Sequence, residues 1–314
     1  MARVLVTRRL PDGGTDPLVA AGHEIVTRPD DTPFTPDELR DAAGAVDAIV
    51  CLLTDRIDAS VLDAGAGRLR VVANVAVGYD NVDVVAARER GVTVCNTPGV
   101  LDETTADLAF LLMLSSARLA HEAEDDLRSG RWSGWGINQY LGRDVHGATL
   151  GLVGYGRIGR AVARRATGFG MSVLHHTRTD TGETGWVNDL HRLLGEADIV
   201  SLHVPLTGAT RGLIGAPELA VMKPTAVLVN TARGPVVDEA ALAAALHEGR
   251  LFAAGIDVFE REPEIHPDLL TAPRTVLLPH VGSASVATRT RMARLACEGA
   301  VAVLAGDTPP NVVR

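Results

Sequence analysis

The residues with the clearest chemical potential lie in three short segments of the last third of the chain. They are Val229-Asn230-Thr231-Ala232-Arg233-Gly234, Gly255-Ile256-Asp257-Val258-Phe259-Glu260-Arg261-Glu262-Pro263 and Leu277-Leu278-Pro279-His280-Val281-Gly282-Ser283. Each begins in an apolar run and ends in polar residues. A parallel strand of an open α/β sheet delivers the residues at its carboxyl end to the ligand crevice. The segments therefore offer an arginine, a carboxylate and a histidine to such a crevice. A histidine can give a proton to a carbonyl oxygen as hydride reaches the carbon. A carboxylate beside it orients the ring and favours its charged form. An arginine fork grips a substrate carboxylate. Spacing leaves Glu260, Glu262 and Glu264 all open for the carboxylate.

A second constellation is Gly154-Tyr155-Gly156-Arg157-Ile158-Gly159. This GxGxxG follows a strand expected at 149–153 and opens a helix expected at 157–167, the context that gives the motif its meaning. The first glycine permits the tight turn, the second lets backbone approach a pyrophosphate, and the third lets helix and strand pack closely. The helix N-terminus then turns free N–H groups toward the phosphates. About 20 residues on, an NAD site carries an acid for the ribose hydroxyls. Here the chain reads His175-His176-Thr177-Arg178-Thr179-Asp180. Arg178, flanked by Thr177 and Thr179, favours a 2′-phosphate and hence NADP(H). The alternative turns Arg178 to solvent and folds Asp180 back onto the ribose, which keeps NAD(H). His175 and His176 face opposite sides of a strand, so no metal site is expected there.

The elements that must hold these residues follow from apolar runs. Strands are expected at 3–7, 24–27, 48–53, 70–74 and 92–96, with helical patterns at 36–43 and 82–90 between them. Asn96-Thr97-Pro98-Gly99 is a turn cluster. A helix at 103–117 has the body LAFLLML, apolar around most of its circumference and so buried, partly against a partner. Residues 129–147, rich in Gly and Trp, read as a loop or arm. Alternation resumes with strands at 149–153, 171–175, 199–203, 226–230, 253–258 and 276–278. Helices are expected at 157–167, 189–194 and 238–248, and a last one at 285–304. Strands alternating with helices give a parallel sheet covered on both faces. The fold class is α/β, with two doubly wound parallel-sheet domains and the chemistry in the cleft between them. The long helix and the arm predict a homodimer.

Composition sets the bounds. A chain of 314 residues holds about two domains, and 46% hydrophobic with 22% charged residues rules out a disordered or fibrous chain. The net charge of −9 speaks against nucleic acid or an anionic membrane as the main partner. No apolar run spans a bilayer, and the N-terminus has too short an apolar stretch for a signal peptide. Cys51, Cys95 and Cys297 form no CxxC pair, which points away from a disulfide framework or thiolate metal site and toward a reducing cytoplasm. Lys223 is the one lysine, so no GxxxxGK[ST] loop exists; GxSxG and HExxH are also missing.

Taken together, NTARG (230–234), DVFEREP (257–263) and PHVGSAS (279–285) resemble signatures of the D-isomer specific 2-hydroxyacid dehydrogenase family. Asn74-Val75-Ala76-Val77-Gly78-Tyr79-Asp80-Asn81 and residues 97–107 extend the resemblance over nearly the whole chain. CLLTDRID (51–58), VGYDNVD (77–83) and the arginine after the second strand of the second domain are similar to the glyoxylate/hydroxypyruvate reductase branch. The resemblance implies a flavodoxin-like substrate domain, 1–99 with 283–314, and an inserted Rossmann NAD(P)-binding domain, 100–282, with the dimerisation helix and arm. It assigns catalysis to Arg233, Glu262 and His280, the substrate carboxylate to the N–H groups of Val77 and Gly78, and further substrate contacts to Leu53, Arg233 and His280. Thr105, Pro205, Thr231, Asp257 and Gly282 match positions near the nicotinamide half of the cofactor. The implied reaction is reduction of a small 2-keto acid to the D-2-hydroxy acid.

One segment departs from the pattern. After Trp132-Ser133-Gly134-Trp135 the family commonly has a proline, where this chain has Gly136-Ile137-Asn138-Gln139-Tyr140. In reductases of this type the arm reaches toward a partner's active site, so the change bears on substrate size. The alternatives are a cofactor-sensing corepressor and 3-phosphoglycerate dehydrogenase. The full Arg/Glu/His set disfavours the first, and the want of a regulatory extension after His280 the second. Formate dehydrogenases of this fold pair the histidine with glutamine.

Overall fold

A computed structural model describes residues 1–313 as two units, 1–101 with 283–313 and 102–282. In the first unit the chain runs β1 (Arg3–Val6), α1 (Asp16–Ala20), β2 (Glu24–Val26), α2 (Pro36–Ala43), β3 (Ala48–Cys51), α3 (Ala59–Ala64), β4 (Val71–Asn74), α4 (Val84–Glu89) and β5 (Thr93–Cys95). The strands are parallel in the order β2-β1-β3-β4-β5. β3 and β4 are buried along their whole length, because helices cover both faces and leave no polar side for alternation to mark. Helix starts follow capping chemistry. Thr35 and Glu38 form a capping box on α2, while Asp58 and Asp83 accept first-turn N–H groups of α3 and α4. The expected strand at 48–53 stops at Cys51, because Asp55 Oδ2 takes the Leu52 N–H and turns the chain.

The second unit contains α5 (Asp102–Ala117), α6 (Ala120–Arg128), β6 (Thr149–Val153), α7 (Arg157–Gly168), β7 (Ser172–His176), α8 (Leu190–Glu196), β8 (Ile199–Leu202), α9 (Ala216–Val221), β9 (Val227–Asn230), α10 (Glu239–His247), β10 (Ala253–Ile256), α11 (Pro267–Leu270) and β11 (Thr275–Leu277). The parallel order is β11-β10-β9-β8-β6-β7. Beyond β7, His175 pairs in parallel with Trp186 through two 2.8 Å backbone bonds. That one-residue pairing stands where a Rossmann sheet has its third strand. The chain leaves β6 to one side and returns on the other at β8, so the β6/β8 boundary is the switch point where such sheets bind ligands.

The final helix, α12 (Val286–Ala305), belongs to the first unit and packs on β3, β4, β5 and α1. Ser285 caps its start and Gly306, at φ 95°, ends it. The chain then adds Val312 and Val313 antiparallel along β5. Helix α5 packs on α7, β9, β10 and β11 within its own unit. Its apolar girth is therefore largely used there, and Leu111 is its exposed large apolar residue. Five more exposed apolar side chains, Leu127, Trp132, Trp135, Ile137 and Leu141, fall close together in sequence, in and beside the irregular segment 129–147. Among the described residues, no helix is long and apolar enough to cross a membrane.

Candidate functional site

The three glycines after β6 differ in what surrounds them. Gly154 has φ 97°, and a Cβ there would sit 2.7 Å from the His203 carbonyl. Gly159 lies against the turn, where a Cβ would come 2.4 Å from Gly154 O. Gly156, the residue that caps α7, faces open space. The loop is thus tight at its two ends and bare at its middle, above a helix start with free N–H groups. That shape fits a pyrophosphate. Tyr155 stacks on His175 at 3.8 Å, with the Arg160 guanidinium on its ring, and so ties the loop to the end of β7. Arg157 pairs with Asp102, and Ile158 is half-buried. Burial first, and the Arg160 charge after it, pull the His175 imidazole below its ordinary value. Its Nε2 meets Thr181 Oγ1 at 2.7 Å.

The segment after β7 is held by its own turn. Thr177 Oγ1 donates to Thr179 O and receives the Trp186 indole N–H. Thr179 and Arg178 are exposed. Asp180 Oδ1 accepts the Gly182 N–H at 2.8 Å, so this carboxylate points forward into its turn. Pro205, in the loop after β8, has its carbonyl capped by Thr210 Oγ1.

Three loops after β9, β10 and β11 gather the ionisable groups of this unit. After β9, the Asn230 side chain brackets the turn by accepting Ala232 N–H and donating to Arg233 O. Gly234 is obligatory because a Cβ would lie under 2 Å from the Phe259 backbone. This contact locks the Arg233 turn to the loop after β10. There the three glutamates part company. Glu260 exchanges bonds with Glu239, each carboxylate accepting the other's backbone N–H. Glu264 is exposed, its backbone paired with Arg261. Glu262 Oε2 meets His280 Nδ1 at 2.8 Å, and Oε1 accepts the Phe259 N–H at 3.0 Å. Burial pushes the Glu262 carboxyl up. The bond and charge of His280, the Phe259 N–H and the Arg233 charge outweigh it and hold the group below its ordinary value.

His280 has φ 54°, a left-handed conformation that costs a non-glycine residue about 1–3 kcal/mol. Asp257 holds it there. Its backbone carbonyl accepts His280 N–H at 2.8 Å, and its two carboxylate oxygens accept Val281 and Gly282 N–H at 2.7 and 2.8 Å. Asp257 is 1% exposed, and burial, helped by the Glu262 charge, raises its pKa to about 6 against the pull of the two N–H bonds. Gly282 lies against Asp257 and Thr105. Thr231 Oγ1 is buried, with no hydrogen-bond partner among the described residues. The unpartnered Thr231 hydroxyl and the open backbone at Gly156, at the start of α7, fit a dinucleotide.

Three further residues matched to the substrate belong to the 1–101 segment. Leu53 follows β3, while Val77 and Gly78 follow β4, whose last residue Asn74 is registered with Cys51 of β3. The resemblance alone named these three, and composition and spacing singled out nothing here. Asn74, Asn81 and Asn96, whose polar side chains shape this loop, entered the sequence reading only within a matched segment or a turn cluster, with no role of their own.

This arrangement defines a two-unit nicotinamide-dependent dehydrogenase. Residues 110–282 match the D-isomer specific 2-hydroxyacid dehydrogenase NAD binding domain, and the chain belongs to that NAD(P)-dependent family. It is 49% identical to a glyoxylate reductase of Korarchaeum cryptofilum and 46% identical to one of Thermococcus gammatolerans, each over 99% of this chain and 95% of the relative. An NADPH-dependent glyoxylate/hydroxypyruvate reductase from Sinorhizobium meliloti, solved with NADP and malonate, superposes with a TM-score of 0.86 at 37% identity, covering 99% of this chain and 96% of that one.

Proposed function

We propose that this enzyme reduces a small 2-keto acid of the glyoxylate or hydroxypyruvate type to the D-2-hydroxy acid, with NADPH preferred to NADH, in the cytoplasm. The observation that carries the reading is the 2.8 Å contact between His280 Nδ1 and Glu262 Oε2. With Nδ1–H donated to the carboxylate, Nε2 is the atom that holds the proton for the carbonyl oxygen. Glu262, kept ionised by its surroundings, orients the ring. Arg233 anchors the substrate carboxylate and polarises the carbonyl. The N–H groups of Val77 and Gly78 hold the substrate carboxylate, and Leu53 touches the substrate beside them.

The cofactor supplies the hydride when bound. Gly154 to Gly159 would hold its pyrophosphate, Thr177, Arg178 and Thr179 its adenosine end, and Thr105, Pro205, Thr231, Asp257 and Gly282 its nicotinamide end. Two features support NADPH. No acid stands at 177 or 178, and Asp180 is committed to Gly182 N–H. The Sinorhizobium relative, crystallised with NADP, adds to this.

A second copy of the chain covers the exposed apolar set Leu111, Leu127, Trp132, Trp135, Ile137 and Leu141. Light scattering at micromolar concentration should give a dimer mass; a monomer mass rejects this part. The activity is tested by NADPH absorbance on mixing with glyoxylate, hydroxypyruvate and larger 2-keto acids. Failure to oxidise NADPH or NADH with any of them rejects the proposed reaction.

A further inference from the structure

The carboxyl edge of the first unit's sheet carries a network of amides that none of the proposed proton or hydride chemistry uses. Its targets are three successive carbonyls of the loop after β4. Ala76 O accepts the Thr97 N–H at 2.9 Å. Val77 O accepts Asn96 Nδ2 and Gly78 O accepts Asn74 Nδ2, both at 2.8 Å. In a planar trans peptide the N–H of the next residue points opposite to the carbonyl. Fixing these three carbonyls therefore turns the N–H groups of Val77, Gly78 and Tyr79 away from the network. Among the described residues none of the three N–H groups has an acceptor. Consecutive backbone N–H groups left free in this way make an anion-binding nest.

The side chains that do the fixing are themselves fixed. Asn74 is fully buried and trades amide bonds with Asn81, which donates in turn to Leu52 O and Asp55 O. Asn96 is gripped on both sides of its backbone. Its N–H donates to Asn311 O at 3.1 Å, and its carbonyl accepts Asn311 Nδ2 at 2.8 Å. Such rigidity exceeds what a surface turn needs.

We propose that Asn74 and Asn96 are positioning residues that preset the main-chain donors for the substrate carboxylate; this rests on the reading that Val77 and Gly78 bind that carboxylate. A donor already aimed costs nothing to order when the anion arrives, whereas an unpinned peptide plane must be ordered on binding. The carboxylate is unchanged by the reaction, so the contribution falls on ground state and transition state alike. It therefore belongs in KM and not in kcat.

The test is steady-state kinetics of the full-length protein with glyoxylate and NADPH, and with oxamate as a dead-end keto-acid analogue. Asn96→Ala removes one neutral hydrogen bond and should raise the glyoxylate KM and the oxamate Ki together by about tenfold. The kcat and the NADPH KM should stay unchanged. Asn96→Asp keeps the shape of the side chain, which protects folding, but cannot donate to Val77 O and brings a like charge; its KM should rise further. A fall in kcat at constant glyoxylate KM, or equal weakening of glyoxylate and NADPH, overturns the positioning role. Gly78→Pro, which lacks the N–H, separates the two ideas. If it leaves the glyoxylate KM unmoved, the nest reading itself fails. If it raises KM while both Asn96 variants match wild type, the nest stands and the positioning role falls.

Discussion

In the proposed reaction the 102–282 unit meets its ligand with ionisable side chains, Arg233, Glu262 and His280, backed by the buried carboxylate of Asp257. The first unit offers backbone N–H groups aimed by neutral amides. The two solutions carry different costs. A buried carboxylate must be paid for in desolvation and makes its region sensitive to pH. Amide-to-carbonyl bonds are indifferent to pH, and what they contribute is fixed direction. A proton must move in one region and nothing must move in the other, so charge is found where charge changes.

The comparison can be broken at its strongest point first. His280→Ala should lower kcat by about 10²–10⁴, the range for a lost general acid, with NADPH affinity retained. A loss below about tenfold would place the proton donor elsewhere. Asp257 gives the next largest effect, and it is one of stability. Its folded pKa of about 6 lies above the ordinary 3.8, so its favourable contribution is full below 3.8 and is lost as pH rises through 6. The rise corresponds to about 3 kcal/mol. Unfolding free energies of wild type and Asp257→Asn, compared at acid and neutral pH, should show wild type losing ground by that order as pH rises. A constant difference would deny Asp257 its raised pKa. The amide variants Asn96→Ala and Asn96→Asp serve as the contrast, since the first should shift stability equally at both pH values.

Smaller effects sharpen the picture. Glu262 is held ionised by His280 and Arg233. Glu262→Gln keeps the shape of the side chain but removes the charge that holds the imidazole, so kcat should fall by about tenfold with the NADPH KM unchanged. An unchanged kcat would reduce their 2.8 Å contact to packing. Arg178→Ala should erase most of a preference for NADPH of at least about tenfold, equal to 1.4 kcal/mol in kcat/KM, while sparing NADH rates. Equal harm to both cofactors would remove Arg178 from the phosphate.

What could be read in advance follows the same division. Strand–turn–helix at Gly154 was legible because the glycines have separate steric duties at fixed spacing. The two doubly wound sheets were legible because fully buried strands such as β3 and β4 leave continuous apolar runs. Glu260, Glu262 and Glu264 were indistinguishable in one dimension. What separates them is Glu239, 21 residues before Glu260, which engages the first and leaves the second to turn toward His280. Helix α6 was missed because it is short and strongly charged and buries none of its residues. The third strand of the second sheet had shrunk to Trp186, too short for any pattern. The amides of Asn74 and Asn96 stayed hidden because their targets are carbonyls, which every residue has.

The route of the chain through the first unit has a consequence for synthesis. The sheet of residues 1–101 is complete long before the ribosome has made α12, which covers one face of β3, β4 and β5, or Asn311, which clamps Asn96. Between them come residues 102–282, 181 in number by those bounds. At translation rates of about 5–20 residues per second, the delay is on the order of ten to forty seconds. For that time an apolar sheet face waits outside the exit tunnel while the second unit, continuous in sequence, can fold as it emerges. The nascent first unit is therefore a natural client for a holding chaperone, and the anion nest after β4 is among the last parts of the molecule to be set.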